Sequence, residues 1–374
     1  MQNKISSEIL NLVSSLRVEN SIECIVYLDG RIDSESIYLD KEVKYYPFIN
    51  AVGLRLDRKN IFALAKSNFV KYITHNAKVN TLMNVSNKIM RTPIDYKGGN
   101  FSVAVIDTGM YPHIDIVGGR NKVIKWLDLV NEKKYPYDDN GHGTFITGVL
   151  CGSGFLSGGK YQGVAPKSNI ISIKALDKNG ETGANTILSA MQWVYDNKKN
   201  YNIKVVCMSF GSDPIGINDP LVKGAEALWD KGIVVVGAGG NSGPESETIK
   251  SPGASGKIIT VGALNDNRYG DLYDVTKFGV ADFSSRGPIF NRYKPDVLAP
   301  GVDVVGACNF HQEKKYYDIM SGTSVSTPMI AGMCCHIIKN HPDYTPDMIK
   351  KYIINHCNSI VGDRNAEGYG WFRW

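Results

Sequence analysis

Phe101-Ser102-Val103-Ala104-Val105-Ile106-Asp107-Thr108-Gly109 is an apolar run, rich in β-branched residues, that stops at a carboxylate and a glycine. It reads as a buried strand. Similar runs recur at Ile170 to Ala175, Lys204 to Ser209, Ile233 to Val236 and Ile258 to Val261, most of them ending near Gly, Asp or Asn and followed by a helical pattern. Buried strands that alternate with helices predict an α/β fold, doubly wound, with a mainly parallel sheet and helices on both faces.

Upstream the texture differs. Residues 1–80 read as a small α+β unit, with strands at Ile22 to Leu28, Ala51 to Leu56 and Val70 to Thr74 and a helix from about Asn60 to Lys66. A piece of this size without a disulfide has a marginal core, so it is expected to lean on its neighbour. Residues 81–374 form the larger unit, and the polar stretch from Asn84 to Asn100 is where the two would join. A length of 374 residues suits one large domain with an appendage.

Composition narrows the function. Hydrophobic residues at 43% and charged ones at 21% suit an ordinary soluble chain with its own core. A formal net charge of +5 is too dilute for the basic stripe that phosphate contacts require, which argues against a nucleic-acid partner. The seven cysteines (Cys24, Cys151, Cys207, Cys308, Cys334, Cys335, Cys357) form an odd set with no Cys-x-x-Cys pair, so reduced thiols are expected rather than zinc or a redox couple. Ile5, Ile9, Leu12, Val13 and Leu16 recur at helical spacing among polar residues, which predicts an amphipathic helix and not a secretory signal. No apolar stretch is long enough to span a membrane. A cytoplasmic or otherwise intracellular protein is the resulting expectation.

In a doubly wound sheet, functional groups gather beyond the carboxyl ends of the strands. Asp107 follows the first run, Ser209-Phe210-Gly211 closes another, and Ala238-Gly239-Gly240-Asn241 follows a third. His142 opens a helical segment after Asn140-Gly141, and Ser324 opens a second, in which Pro328 is expected within the first helical turn. A serine hydroxyl becomes a nucleophile when a base takes its proton, and the base needs a third group to fix its tautomer. Ser324, His142 and Asp107 supply those roles. The amides at the start of the Ser324 helix and the Asn241 side chain would converge on an oxyanion. Asp107-Thr108-Gly109 alone would also suit an aspartic protease, but that chemistry needs a second such carboxylate and the sequence has no other Asp-Thr-Gly or Asp-Ser-Gly.

The strings Val-Ile-Asp-Thr-Gly, Gly-His-Gly-Thr, Gly-Gly-Asn-Ser-Gly and Ser-Gly-Thr-Ser-Val-Ser-Thr-Pro, in this order between about Tyr96 and Cys357, resemble the subtilisin-like serine proteases. The resemblance implies a serine endopeptidase acting through an acyl-enzyme, with Asp107, His142 and Ser324 as triad and Asn241 as oxyanion donor. It implies a protein or peptide substrate bound as an added strand along Ser209, Phe210 and Gly211 and along Gly180, Glu181 and Thr182. The pocket for the residue before the scissile bond would lie between Ala238 to Gly240 and the loop around Ser251-Pro252-Gly253, with the small residues Ala238, Gly239 and Gly240 leaving room for a sizeable side chain. Glu181 suggests tolerance of basic residues further from the cut. Phe145 replaces a common histidine, and Val325-Ser326 replaces the usual Met-Ala.

The same resemblance implies that residues 1–80 are an inhibitory prodomain, an intramolecular partner that templates folding and is then cut off by the enzyme between Asn76 and Ser86. No cofactor is required by this chemistry. Members of the family often bind calcium in the loop corresponding to Gly152 to Lys160, but that loop has no Asp, Glu or Asn, so no ligand set is identified there. Two alternatives stand beside a general protease: a dedicated precursor-processing protease of the spore-germination type, and a catalytically silent scaffold.

Overall fold

The structure is a computed structural model that describes residues 4–6, 9–10, 21–29, 44–46, 50–75, 83–93, 95–96, 98–119, 122–216, 218–268, 272–309 and 315–374. The chain divides into two compact units, Met1–Val79 and Asn80–Trp374.

In the first unit, strands β1 (Ser21–Leu28), β2 (Lys44–Tyr46), β3 (Ala51–Asp57) and β4 (Val70–His75) form an antiparallel sheet in the order β2-β3-β1-β4. Helix α1 (Arg58–Ala65) starts two residues earlier than its apolar spacing suggests, because the Asp57 carboxylate accepts from Asn60 N at 2.8 Å and caps it there. Ile61 and Ala65 of α1 join Val26, Val52 and Ile73 in a small core. Ile5, expected in a helix, instead forms a parallel bridge with Ile73. Leu12, Val13 and Leu16 lie outside the described residues.

The second unit begins with helix α2 (Met83–Ile89) and strand β5 (Ser102–Asp107), followed by α3 (Ile114–Val117), β6 (Val123–Asp128), α4 (His142–Cys151) and β7 (Asn169–Lys174). Helix α5 (Ala184–Asn197), β8 (Ile203–Met208), α6 (Pro220–Asp230), β9 (Val234–Ala238), β10 (Ile259–Asn265), β11 (Gly279–Val280) and β12 (Val297–Pro300) come next. The hairpin of β13 (Val304–Ala307) and β14 (Tyr317–Met320) precedes α7 (Thr323–Asn340), α8 (Pro346–Asn355), β15 (Cys357–Asn358), α9 (Arg364–Glu367) and β16 (Trp371–Phe372). The main sheet runs β15-β16-β12-β10-β9-β8-β5-β7-β6, with β11 beside β10; its pairings are parallel except those of β11 and β15.

From β5 the chain lays β7 on one side and β8 on the other, so the strand order reverses at β5 and opens a crevice at its carboxyl end. Asp107 ends that strand. Helix α7 crosses the sheet and is buried from Val325 through Ile338, as its nearly continuous apolar sequence requires. Cys334 and Cys335 are fully buried within it. Pro328 sits inside α7 and not in its first turn. A proline there donates no amide hydrogen to the carbonyl four residues back, which is that of Ser324.

Candidate active site

Strand ends and helix starts meet around a groove of about 720 Å³, bordered by Asp107, His142, Asn241 and Ser324. Asp107 is buried, and its Oδ1 accepts His142 Nδ1–H at 2.7 Å and Thr108 N–H at 2.7 Å. With Nδ1 engaged, Nε2 is the ring nitrogen left for substrate chemistry. Burial works against charge on His142, but the charge and hydrogen bond of Asp107, reinforced by Asp138, outweigh it and hold the imidazole above its ordinary value.

Ser324 lies in the first turn of α7, where backbone amides have no intrahelical acceptor. A methyl group built on Gly322 would stand 3.0 Å from Ser324 Oγ and 3.3 Å from Asn241 Nδ2, so hydroxyl and amide border one small space. Asn241 is held by its oxygen: Oδ1 accepts Thr323 N–H at 2.9 Å and the Thr323 hydroxyl at 3.0 Å, which leaves the NH2 group as the end facing that space. Among the described residues, Ser324 Oγ makes no hydrogen bond to His142. Such contacts are commonly long until substrate binds.

The first turn of α4 is capped entirely by side chains. His142 N–H donates to Asn140 Oδ1 at 3.1 Å, Gly143 N–H to Thr108 Oγ1 at 2.9 Å, and Thr144 N–H to Asp138 Oδ2 at 2.8 Å. The N-cap residue itself is Gly141, which has no side chain to offer. Gly143 is required on packing grounds, since a Cβ there would lie 2.2 Å from the Gly109 carbonyl oxygen. Asp138 and Lys174 escaped the sequence reading. Lys174 is fully buried at the end of β7 and donates to Thr108 O at 2.6 Å, Asp139 Oδ1 at 2.7 Å and Leu176 O at 2.9 Å. The available signal was local: a carboxylate four residues before the histidine, with glycine at the helix start.

Both expected substrate edges, Gly180 to Thr182 and Ser209 to Gly211, line the groove. Ala238, Gly239 and Gly240 lie outside that lining. The Lys250 stem runs beside Gly240 and Gly211: a Cβ on Gly240 would meet Lys250 Cγ at 2.5 Å, and one on Gly211 would meet Lys250 Cβ at 2.7 Å. Lys250 Nζ pairs with Asp213. Phe145 is buried against Gly306, and the Ser326 hydroxyl donates to Ala299 O at 2.9 Å, so both departures from the family strings serve the core.

Residues 152–160 bring no carboxylate of their own to a cation. The carboxylate beside this loop, Asp115, is spent on Leu156 N–H at 3.0 Å and the Tyr317 hydroxyl at 2.5 Å. The buried Lys122 ammonium donates to the carbonyls of Asp115 at 3.0 Å, Cys151 at 2.6 Å and Pro166 at 3.0 Å, which places a cation of the chain's own on carbonyls that border the loop.

Residues 98–371 match the Subtilase family, the peptidase family S8. Serine protease AprX of Bacillus subtilis is 40% identical over 316 residues, covering 78% of this chain and 70% of that protein. Subtilisin DY of Bacillus licheniformis is 30% identical over 278 residues, covering 74% and 89%. Among solved structures, the S41 psychrophilic protease superposes with a TM-score of 0.64 at 26% identity, covering 79% of this chain and 99% of that one. The chain belongs to the subtilase family of serine proteases. The α/β doubly wound fold read from its strand runs is the fold of these relatives.

Proposed function

We propose that the chain is an endopeptidase in which Ser324 is the nucleophile, His142 the general base and acid, Asp107 the group that orients and stabilises the imidazolium, and Asn241 an oxyanion donor. The Ser324 hydroxyl gives its proton to His142 Nε2 as Oγ bonds to the scissile carbonyl carbon. The carbonyl oxygen becomes an oxyanion that accepts from Asn241 Nδ2–H and Ser324 N–H. Collapse breaks the C–N bond, His142 returns the proton to the leaving amine, and an ester on Ser324 remains. Water then repeats the sequence and releases the acid. The observation that carries this reading is the 2.7 Å bond from His142 Nδ1 to Asp107 Oδ1 on a groove shared with Ser324 and Asn241. Release of chromophore from a peptide p-nitroanilide by the wild type, lost in Ser324→Ala, is expected; equal turnover by both would end it.

The N-terminal unit is, in this reading, an inhibitory prodomain cut by the enzyme itself between Asn76 and Ser86. Its support is a separately compact sheet ahead of the family-matched region. Residues 76–82 lie outside the described residues. N-terminal sequencing of wild type and Ser324→Ala checks this: a start at Met1 in both excludes self-processing. The seven cysteines are all free, six of them buried, which favours an intracellular setting. Cell fractionation that recovers the protein only in the medium would overturn that.

A further inference from the structure

We propose that Asp138 is a positioning residue for catalysis, a buried carboxylate that staples the turn carrying Asp107 to the helix start carrying His142. This rests on the triad reading above. Oδ1 accepts the Thr108 hydroxyl at 2.9 Å, Gly141 N–H at 2.8 Å and Asn140 N–H at 3.2 Å; Oδ2 accepts Thr144 N–H at 2.8 Å and the Thr144 hydroxyl at 2.6 Å. Thr108 adjoins Asp107 in sequence and also accepts from Gly143, the residue after His142. Both neighbours of the catalytic pair therefore share one anchor. The main chain repeats the link, since Gly109 and Asp138 form an antiparallel bridge and Met110 N–H donates to Tyr137 O at 3.1 Å.

A carboxylate buried to this extent is costly unless its lone pairs are filled, and here five donors fill them. What that arrangement fixes is the separation of two backbones, and through them the Asp107 to His142 bond. Its charge acts as well. Asp107 at the end of β5 and Asp138 before α4 act on the His142 charge, and both favour the imidazolium; Lys174 and Asp139 pair with each other, and Glu181 lies across the same groove.

The test uses the full chain as wild type, Asp138→Asn, Thr108→Val and Thr108→Ser, each counted for active sites with a fluorophosphonate. Asp138→Asn is expected to lose ~10–100-fold in kcat per labelled site, the scale of a small misplacement of reacting groups, while the acid limb of kcat/KM moves to lower pH. Thr108→Val keeps the charge, so it lowers kcat and leaves the acid limb in place; Thr108→Ser restores kcat. Wild-type kcat and an unmoved acid limb in Asp138→Asn overturn the proposal. Should that variant not fold, wild-type kcat in Thr108→Val overturns it. A wild type that takes up no fluorophosphonate removes the triad reading and this one with it, whereas normal labelling with unaffected variants removes only the role of Asp138.

Discussion

Replacing Asn241 by alanine deletes a donor aimed at a charge that exists only in the transition state. In the structure the Asn241 oxygen is committed to Thr323, at 2.9 Å to the amide and 3.0 Å to the hydroxyl, so the NH2 group has one orientation and needs no reorganisation during reaction. The loss expected in kcat is ~10²–10³-fold, about 2.7–4 kcal/mol, a figure that comes from the corresponding donor in subtilisin itself and is carried over by likeness. KM should hold, because the ground-state carbonyl makes little of this bond. Asn241→Asp separates the two functions of the side chain: it keeps both acceptor bonds to Thr323 but sets a carboxylate beside the oxyanion, so its kcat should fall at least as far as that of the alanine variant. Steady-state hydrolysis of a peptide p-nitroanilide, with kcat and KM resolved, is the assay. A kcat loss under about tenfold, or a loss confined to KM, would refute the assignment.

Because Asp107 and Asp138 hold His142 above the ordinary histidine value of 6.5, the acid limb of kcat/KM should lie above that pH, with activity lost as pH falls through it. The same shift stabilises the fold below the unfolded histidine value and fades as pH rises through the raised one, which pH-dependent melts in parallel would show. Lys122→Met leaves the carbonyls of Cys151 and Pro166 without their Lys122 donor, while Asp115 O keeps Ser153 N–H at 2.8 Å; at ~1–3 kcal/mol for each orphaned group, a loss of about 2–6 kcal/mol is expected in denaturant unfolding. Lys250→Gly clears the space against Gly211 and Gly240, so peptide-library profiling should show larger side chains accepted before the scissile bond; an unchanged profile counts against that pocket.

The residues that were readable in the sequence are those whose surroundings are local. Asp107, Asn241 and Ser324 each close or open an element within a few residues, and His142 follows a glycine at a helix start. Asp138 is as close to His142 in sequence, yet its function depends on Thr108, 30 residues away, which only the tertiary fold brings near. Lys122 and Lys250 carry the same lesson. Nothing near Lys122 in sequence shows that its ammonium meets three carbonyls, and nothing near Lys250 shows that its stem lies against Gly211 and Gly240. The strands β12 to β16 have two to four residues each, too short for a periodicity to register. Pro328 is the sixth residue of α7, so even a helix start read correctly to within a residue leaves it beyond the first turn expected from the sequence.

The measurement that bears most directly on this mechanism is covalent labelling with a fluorophosphonate followed by peptide mapping in a mass spectrometer. Stoichiometric modification of Ser324, abolished in Ser324→Ala and strongly slowed in His142→Ala, is the predicted result. Labelling of another residue, or none by a folded wild-type enzyme, would contradict it.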